Sequence, residues 1–253
     1  MHTCAGIATA AQIGLFYLHS SVAGGALVRQ ERKAIAATTG NAGACGQAGQ
    51  TSKESQSNHD AADPDGLLEA PTLGLVAPVL QGTGDSVRSD AVGHDPASVW
   101  PGQPGTSVLS AHDVTWFSRI GQLKPGDEVR YVTPCWTYTY TVTSHVIVSV
   151  GSPVYSSAAG RLVLDTCYPL DALYITPTRY LVYASLAGSS PTHPTATVPT
   201  NWPAPAVPAL AKLAAQGLGL ATNDAPLGTF ALTGSPSREW AQSSAPLRSR
   251  PRR

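Results

Sequence analysis

The sequence predicts an all-β domain that closes into a barrel, and three apolar runs carry this prediction. Across residues 136–150, tryptophan, tyrosine and valine occupy most even-numbered positions, and threonine occupies the first odd-numbered ones. This period of two is typical of a strand with one packed face and one wetter face. Residues 162–166 and 180–184 form two further apolar runs, and shorter strand-like segments lie at 73–79 and 128–132. A closed β-barrel with little helix fits this number of short strands.

One short helix is expected between the strands, beginning after His112. Asp113 can cap it, because an aspartate side chain accepts hydrogen bonds from the first backbone N–H groups of a helix. Four apolar residues follow at helical spacing and are expected to face the core: Trp116, Phe117, Ile120 and Leu123.

Balanced charge argues against one class of partner. The chain carries sixteen basic and sixteen acidic residues, so its composition implies no positive field for nucleic acid. Its four cysteines, at positions 4, 45, 135 and 167, form no CxxC pair and no metal-binding spacing. His94 and His112 are each followed by aspartate, but two isolated His-Asp steps without further ligands are weak evidence for a metal site. We therefore expect no metal and no cofactor.

The N-terminal segment is predicted to be a membrane anchor. Residues 1–28 contain no Asp, Glu, Lys or Arg and are mostly apolar or small, and a bilayer span needs about 20 residues of helix. A cleaved signal peptide and a soluble N-terminus are the alternatives. The basic residues Arg29, Arg32 and Lys33 follow the segment, and by the positive-inside rule they favour a cytoplasmic location for whatever comes next.

Two segments of different composition flank the predicted barrel at residues 67–187. Residues 29–66 contain a long stretch rich in small and polar residues without a periodic apolar pattern, which predicts a flexible linker. Residues 188–253 predict a Pro/Ser-rich linker and a C-terminal extension, which has too few apolar residues to form a core of its own.

A thiol and a guanidinium lie at the facing ends of two apolar runs. Cys167 ends the run at residues 162–166, and Arg179 begins the next one. An exposed thiol held beside a fixed positive charge is how a protein forms a thiolate nucleophile. His112 follows another apolar stretch, so the parts of a Cys-His-Arg site are present. Asp165 is expected to point away from Cys167 and to lie at the barrel rim, without a chemical role.

Other interpretations of these residues stay open. Cys167 could instead be a core cysteine or form a disulfide with Cys135, which is otherwise interpreted as a structural or spare thiol. His94 and His145 compete with His112. His145 is expected on the surface of its strand and His94 in a loop. Arg179 could be an ordinary surface cation.

The motifs around these residues resemble those of the sortases. Residues 163–167 read Val-Leu-Asp-Thr-Cys, similar to the family's Thr-Leu-x-Thr-Cys, with valine replacing a threonine of similar branched shape. The segment 111–113 reads Ala-His-Asp and is followed by Phe117 and by Gly-Asp at 126–127, as in the family's histidine region. Cys-Tyr-Pro at 167–169 makes classes D and E, of an actinobacterial type, the most similar groups.

The resemblance implies a fold and an activity. The fold is an eight-stranded β-barrel, here with short helices, an N-terminal hydrophobic segment and a C-terminal extension. The activity is that of a cysteine transpeptidase, with Cys167 as nucleophile, His112 as acid and base, and Arg179 as donor to the substrate carbonyl. Five residues beside the nucleophile and in the following loop are expected to bind the substrate: Thr166, Pro169, Leu170, Leu173 and Tyr174.

The resemblance also implies substrates, partners and a location. The substrates are secreted proteins that carry a C-terminal sorting signal of LPxTG type, and the acceptor is an amine of a peptidoglycan precursor or a pilin lysine. The expected location is the cell membrane, with the catalytic domain on the extracellular face. That orientation implies a longer signal anchor with basic residues upstream of this sequence. A cysteine endopeptidase and an inactive anchored barrel that binds cell-wall peptide are the alternative functions.

Overall fold

Eight strands form a closed barrel in the computed structural model, which describes residues 3–39, 45, 64–154, 160–170 and 176–192. The predicted all-β barrel fold is therefore confirmed. The strands are β1 Gly66–Ala70, β2 Leu75–Gln81, β3 Val92–His94, β4 Thr106–Ser110, β5 Glu128–Val132, β6 Trp136–Ser149, β7 Arg161–Tyr168 and β8 Thr178–Pro191. The α-helices are α1 Thr3–Thr39 and α2 Asp85–Asp90, and single 3₁₀ turns lie at Pro71–Leu73 and Ile120–Gln122.

The strand order around the barrel is β1-β2-β3-β4-β7-β8-β6-β5, and β5 closes it by pairing with β1. Two pairs, β2 with β3 and β4 with β7, are parallel, and the others are antiparallel. Because β4 and β7 run in the same direction side by side, the segments that follow both strands leave the barrel at the same end. This topology brings residues after Ser110 beside the end of β7.

The barrel interior is a continuous apolar core. Inward-facing residues of β7 and β8 contribute to it together with Phe117 and Ile120, which are almost completely buried. The β7 residues that reach the interior cluster are Leu162 and Leu164, whereas Val163 packs in a separate cluster with Val108 and Leu181. This alternation assigns the two faces of β7.

The segment after β4 differs from the predicted helix. Residues 113–119 form consecutive turns that lead into the 3₁₀ turn at Ile120–Gln122, and the residue that precedes that turn, Arg119, makes no side-chain cap. Asp113, the predicted helix cap, is buried at the start of these turns and begins no α-helix. The four apolar residues are nevertheless buried as predicted: Trp116, Phe117, Ile120 and Leu123.

Strand β6 keeps its packed face over only half its length. Tyr138, Tyr140 and Val142 are buried, but Val146 is 39% exposed. The register against β8 shifts between Val142 and Ser144. The shift ends the simple alternation, because one extra residue moves the following side chains to the other face.

Helix α1 extends through residue 39 and lies against the barrel. Ile35 packs with Leu67 and Val132, and Ser20 Oγ donates a hydrogen bond to the carbonyl of Ser89. The helix approaches closely at Gly24, where a Cβ atom would lie 2.1 Å from Trp116 Cζ2. Residues 29–39, predicted as the start of a flexible linker, are therefore helical because they bury apolar side chains against the barrel.

Strand β8 continues to Pro191, four residues beyond the predicted end of the barrel domain at residue 187. Residues 188–191 were expected in the linker, but they pair with Trp136 and its neighbours in β6. Their main-chain hydrogen bonds extend the barrel edge to Pro191. Residues 193–253, the rest of the predicted extension, lie outside the described residues.

Within the part of the chain that the structure describes, no helix is both long enough and apolar enough to span a membrane. The anchor predicted for residues 1–28 thus gains no support from the structure.

A disulfide links Cys45 to Cys135, which precedes β6. This bridge corrects two of the alternatives for the cysteines, because Cys135 is neither a spare thiol nor bonded to Cys167. The thiol of Cys167 is free. The bridge closes a loop across a sequence separation of 90 residues.

Removing the disulfide is expected to destabilise the fold. In the double variant Cys45→Ser, Cys135→Ser the unfolded chain regains the freedom of a long loop, so the free energy of unfolding should fall by about 2–5 kcal/mol. Urea unfolding followed by fluorescence, on a Cys167→Ala background that prevents thiol exchange, measures the change. An unchanged midpoint at equal slope would contradict the expectation.

Candidate active site

Strands β7 and β8 place Cys167 and Arg179 directly opposite each other. The two residues are partners in the antiparallel register, and Arg179 Nη1 lies 3.6 Å from Cys167 Sγ, as a donor to the sulfur. The structure thus brings together two of the three residues that the sequence predicts to be catalytic.

Backbone contacts fix the guanidinium of Arg179. Nη1 also donates to the carbonyls of Thr176 and Thr178, at 3.1 and 3.2 Å. Nε and Nη2 make no hydrogen bond within the described residues. One nitrogen therefore anchors the group, and the remaining donors are available to a carbonyl oxygen beside the thiol.

His112 reaches the same end of the barrel from β4. Ser110 is paired with Asp165 in the parallel register, and the Ala111 N–H donates to the Asp165 carbonyl at 3.2 Å. Two further residues along both strands lead to His112 and Cys167. The third predicted residue therefore follows the end of β4, next to the end of β7 that carries the thiol.

Helix α1 covers one side of His112. The ring of Phe16 packs edge-on against the imidazole, with the ring centroids 6.1 Å apart. Neighbouring contacts hold this part of the helix, including His19 Nε2, which lies 3.1 Å from a carboxylate oxygen of Asp90. The cover removes His112 from water on that side.

Burial shifts the pKa values of the thiol and the imidazole in opposite directions. Burial, aided by the positive charge of Arg88 and opposed by the negative charge of Asp85, lowers the pKa of His112 to about 4. Burial raises the pKa of Cys167, an effect that Arg179 counteracts. Both shifts favour a neutral thiol beside a neutral imidazole, so the arrangement with α1 in place holds little of the thiolate-imidazolium pair.

The raised thiol pKa predicts how Cys167 reacts with an alkylating reagent. Only the thiolate reacts, so the rate with iodoacetamide should still increase with pH above about 8.5, the ordinary pKa of cysteine. Arg179→Ala should move the midpoint higher, because the stabilising charge is lost. Mass spectrometry of a Cys4→Ser chain with its disulfide intact measures the rate. A plateau below pH 8 would contradict this expectation.

Thr166, one of the predicted substrate-binding residues, makes a hydrogen bond within the protein. It is buried, and its hydroxyl donates to the carbonyl of Ala111 at 2.7 Å. This hydrogen bond ties the residue before the nucleophile to the residue before His112. Its placement supports a positioning role between the two strands and does not support direct binding of substrate.

The loop residues are placed differently from one another. Pro169 is exposed and follows a cis peptide bond after Tyr168. Leu170 is partly buried against the main core and contacts Gly121, where an added Cβ would lie 2.5 Å from Leu170 Cδ1. Pro169 is therefore accessible to a peptide, whereas Leu170 packs the start of the loop against the barrel core. Leu173 and Tyr174 lie outside the described residues.

The two competing histidines are structural. His94 is buried in β3, where its ring stacks on Trp100 and Nδ1 lies 2.8 Å from Gln81 Oε1. His145 is an exposed strand residue that stacks on Tyr180, as expected for a surface position. Neither ring lies in the Cys167 site.

Three site residues were not assigned a role from the sequence. Thr176 and the positive charge of Arg88 in α2 both act to lower the pKa of Cys167, and Arg88 also lowers the pKa of His112. The prediction that Asp165 points away from Cys167 was wrong, because Leu162, Leu164 and Thr166 alternate on the buried face and leave Asp165 on the same face as Cys167, where Ser110 Oγ donates to it. The two-residue spacing of Asp165 and Cys167 was the available signal for the last of these.

Comparison with known proteins finds similar proteins from one family. The model of the Sortase domain matches residues 68–187. Sortase D of Bacillus subtilis (strain 168) is 32% identical over 121 residues, a match that covers 47% of this chain and 61% of the relative. The chain therefore spans about three fifths of the length of that curated relative.

Solved structures give matches of the same kind. A sortase from Actinomyces oris is 23% identical, with a TM-score of 0.49, and the match covers 56% of this chain and 91% of the other. A sortase D5 transpeptidase from Clostridium perfringens is 21% identical, with a TM-score of 0.48, covering 54% of this chain and 86% of the other.

Proposed function

Residues 68–187 belong to the sortase family, whose members are cysteine transpeptidases, and from this premise we propose that the chain cleaves an LPxTG-like sorting signal and transfers it to an amine. One observation carries the proposal: Cys167 Sγ lies 3.6 Å from Arg179 Nη1, and His112 follows β4, the strand that pairs with β7. Sulfur, permanent cation and imidazole are the groups that acyl transfer through a thioester needs.

The first half-reaction forms a thioacyl enzyme. The Cys167 thiolate attacks the carbonyl carbon of the threonine in the signal. A C–S bond forms as the carbonyl π electrons move to oxygen. Arg179 donates hydrogen bonds from Nε or Nη2 to that oxyanion. The C–N bond then breaks, and the His112 imidazolium gives its proton to the departing amine.

The second half-reaction restores the enzyme. An amine attacks the thioester carbon, and neutral His112 accepts the proton that the new amide nitrogen loses. The C–S bond breaks, and Cys167 leaves as a thiolate. The imidazolium and thiolate are both regenerated, so the cycle consumes no proton.

A bound substrate is expected to increase the small fraction of the enzyme that holds the thiolate-imidazolium pair. The buried, neutral pair is favoured while Phe16 covers His112. A bound signal that displaces this contact and brings a polar peptide next to the imidazole would raise the pKa of His112, because it replaces apolar surroundings with dipoles. The active fraction is then larger in the complex than in the free chain.

The proposed partners follow from the family. The acyl donor is a secreted protein with a C-terminal sorting signal, and the acceptor is an amine of a peptidoglycan precursor or a pilin lysine. We place the catalytic domain outside the cytoplasm, at the extracellular face of the cell membrane. The Cys45–Cys135 disulfide supports the external location, because such bonds persist in oxidising compartments.

Intact-mass analysis of the full chain tests the proposal. The chain is incubated with LPxTG- and LAxTG-like peptides, with and without triglycine as the amine. We expect a thioacyl adduct on the protein and, when triglycine is present, a peptide-triglycine product. Hydrolysed peptide alone in the presence of triglycine would make the chain an endopeptidase. Neither adduct nor product from folded chain would overturn the proposal in favour of a non-catalytic barrel.

A further inference from the structure

The C-terminal half of α1 is fixed to the barrel by apolar packing. Ile35 is buried and forms a cluster with Leu67 of β1 and Val132 of β5. Val28, earlier in the helix, packs against the same cluster. Because the burial of large apolar side chains is the main favourable contribution to packing, this half of the helix is firmly attached.

The N-terminal half of α1 makes polar contacts with α2. Ser20 Oγ donates to the carbonyl of Ser89, and His19 Nε2 lies 3.1 Å from a carboxylate oxygen of Asp90. The side chain of His19 is 66% exposed, and an ion pair at such a position stabilises little. Tyr17 is buried, but its hydroxyl makes no hydrogen bond within the described residues, and this loss of hydration opposes docking. The N-terminal half is therefore the more weakly attached of the two.

Phe16 is the residue by which this weakly attached half reaches the active site. Its ring lies edge-on to the imidazole of His112, with the ring centroids 6.1 Å apart. In the proposed reaction His112 gives a proton to the departing amine and takes one from the incoming amine. Burial of the imidazole disfavours its charged form, so the contact with Phe16 opposes the state that the first of these transfers requires.

Two adjacent glycines separate the two halves of the helix. At Gly24 the packing requires glycine, because an added Cβ atom would lie 2.1 Å from Trp116 Cζ2. At Gly25 the packing does not require it, because an added Cβ atom would lie 3.5 Å from Arg29 Nη1, an ordinary contact distance. Glycine weakens a helix interior relative to alanine, and sharp bends in helices occur at such positions. Gly25 therefore gives α1 a point at which it bends easily.

We propose that the part of α1 that precedes Gly24 is an autoinhibitory strap, which covers His112 while α1 is straight and uncovers it when α1 bends at Gly24 and Gly25. The C-terminal half stays on the barrel and keeps the strap close to the site. Reaction takes place in the uncovered state, so the observed rate is reduced to the fraction of chains in that state. This inference rests on the proposed transpeptidase function, because it concerns the regulation of the same site.

The test compares full chains that differ in the strap or in its hinge. Phe16→Ala removes the ring from His112 and should raise kcat/KM for thioacyl formation about five- to tenfold, because more chains are uncovered. Gly25→Ala favours the straight helix and should lower kcat/KM about two- to fivefold. Leu18→Ala is the matched control, since Leu18 is 58% exposed on α1, and it should change kcat/KM by less than about twofold.

A second measurement reports on the strap without turnover. The pKa of His112 is lowered by burial, so removal of the covering ring should raise it. NMR titration of the His112 ring protons in Phe16→Ala should show a shift towards the ordinary histidine value of about 6.5. The same titration in Leu18→Ala should match that of the parent chain.

The outcomes separate the strap from the reaction that it regulates. Equal kcat/KM for Phe16→Ala and the parent chain would overturn the strap and leave the transpeptidase function standing. A Gly25→Ala chain as fast as the parent would overturn the hinge. Absence of thioacyl enzyme from every chain would overturn the function, and the pKa of His112 would then decide the strap. An unchanged pKa in Phe16→Ala would overturn it too, whereas a raised pKa would support it as a cover of His112.

Discussion

Replacement of Cys167 by alanine is expected to abolish acyl transfer. The variant lacks the sulfur that forms the thioester, and a catalytic nucleophile that works with a base and a cation is worth on the order of 10⁵-fold or more in rate. The alanine side chain fits the partly exposed strand position, so the barrel should fold unchanged. Intact mass with an LPxTG-like peptide should show no adduct, and circular dichroism should match that of the parent chain.

The disulfide-free double variant is the control for this result. Cys45→Ser, Cys135→Ser removes two sulfurs but leaves Cys167 in place, so the thioacyl adduct should persist at a temperature where the fold is stable. Residual adduct in Cys167→Ala would instead point to another cysteine, and Cys4 would then be the residue to replace.

Replacement of Arg179 by alanine is the second large expected effect, a loss of about 10²–10³-fold in kcat/KM for thioacyl formation. The guanidinium both lowers the pKa of Cys167 and offers donors to the developing oxyanion. Because the oxyanion exists only near the transition state, the loss should appear mainly in kcat, with a smaller change in KM. Arg179→Lys retains the positive charge but loses the planar set of donors, so it should recover only part of the rate.

Arg161, at the other end of β7, is the matched control. Its guanidinium lies over the ring of Tyr183, at 5.5 Å from the ring centroid, and Arg161→Ala should change kcat/KM by less than about threefold. The alkylation rate of Cys167 separates the two roles of Arg179. A decrease in transfer fully explained by slower alkylation would assign the arginine to thiol acidity alone and would contradict an oxyanion role.

The barrel and the reactive residues at the ends of its strands could be predicted from the sequence, because the patterns involved lie within short segments. Alternation within β6 to β8 and the buried runs of β7 depend on neighbouring residues, so they are readable from the chain. The same is true of the motif at residues 163–167, which indicated the sortase family before any contact was known. The eight-stranded barrel is confirmed, and the model of the Sortase domain matches residues 68–187.

Predictions that needed a partner from a distant part of the chain were less successful. Cys135 is bonded to Cys45, and spacing alone does not select that pair among four cysteines. The second half of β6 lost its packed face because of a bulge, which alternation does not reveal. Helix α1 runs past the predicted linker boundary because the barrel offers it an apolar surface.

Strand periodicity and motifs depend on residues close together in the chain, so they were enough to predict the barrel, the resemblance to the sortases and the roles of Cys167, His112 and Arg179. Which groups share the catalytic face depends on strand pairing between distant segments, and it became known from the structure alone. The parallel pairing of β4 with β7 brought Ser110 to Asp165, and the antiparallel pairing of β7 with β8 brought Arg179 to Cys167. Side chains far apart in the chain became neighbours through barrel closure, and their burial, more than their identity, set the pKa values of the site.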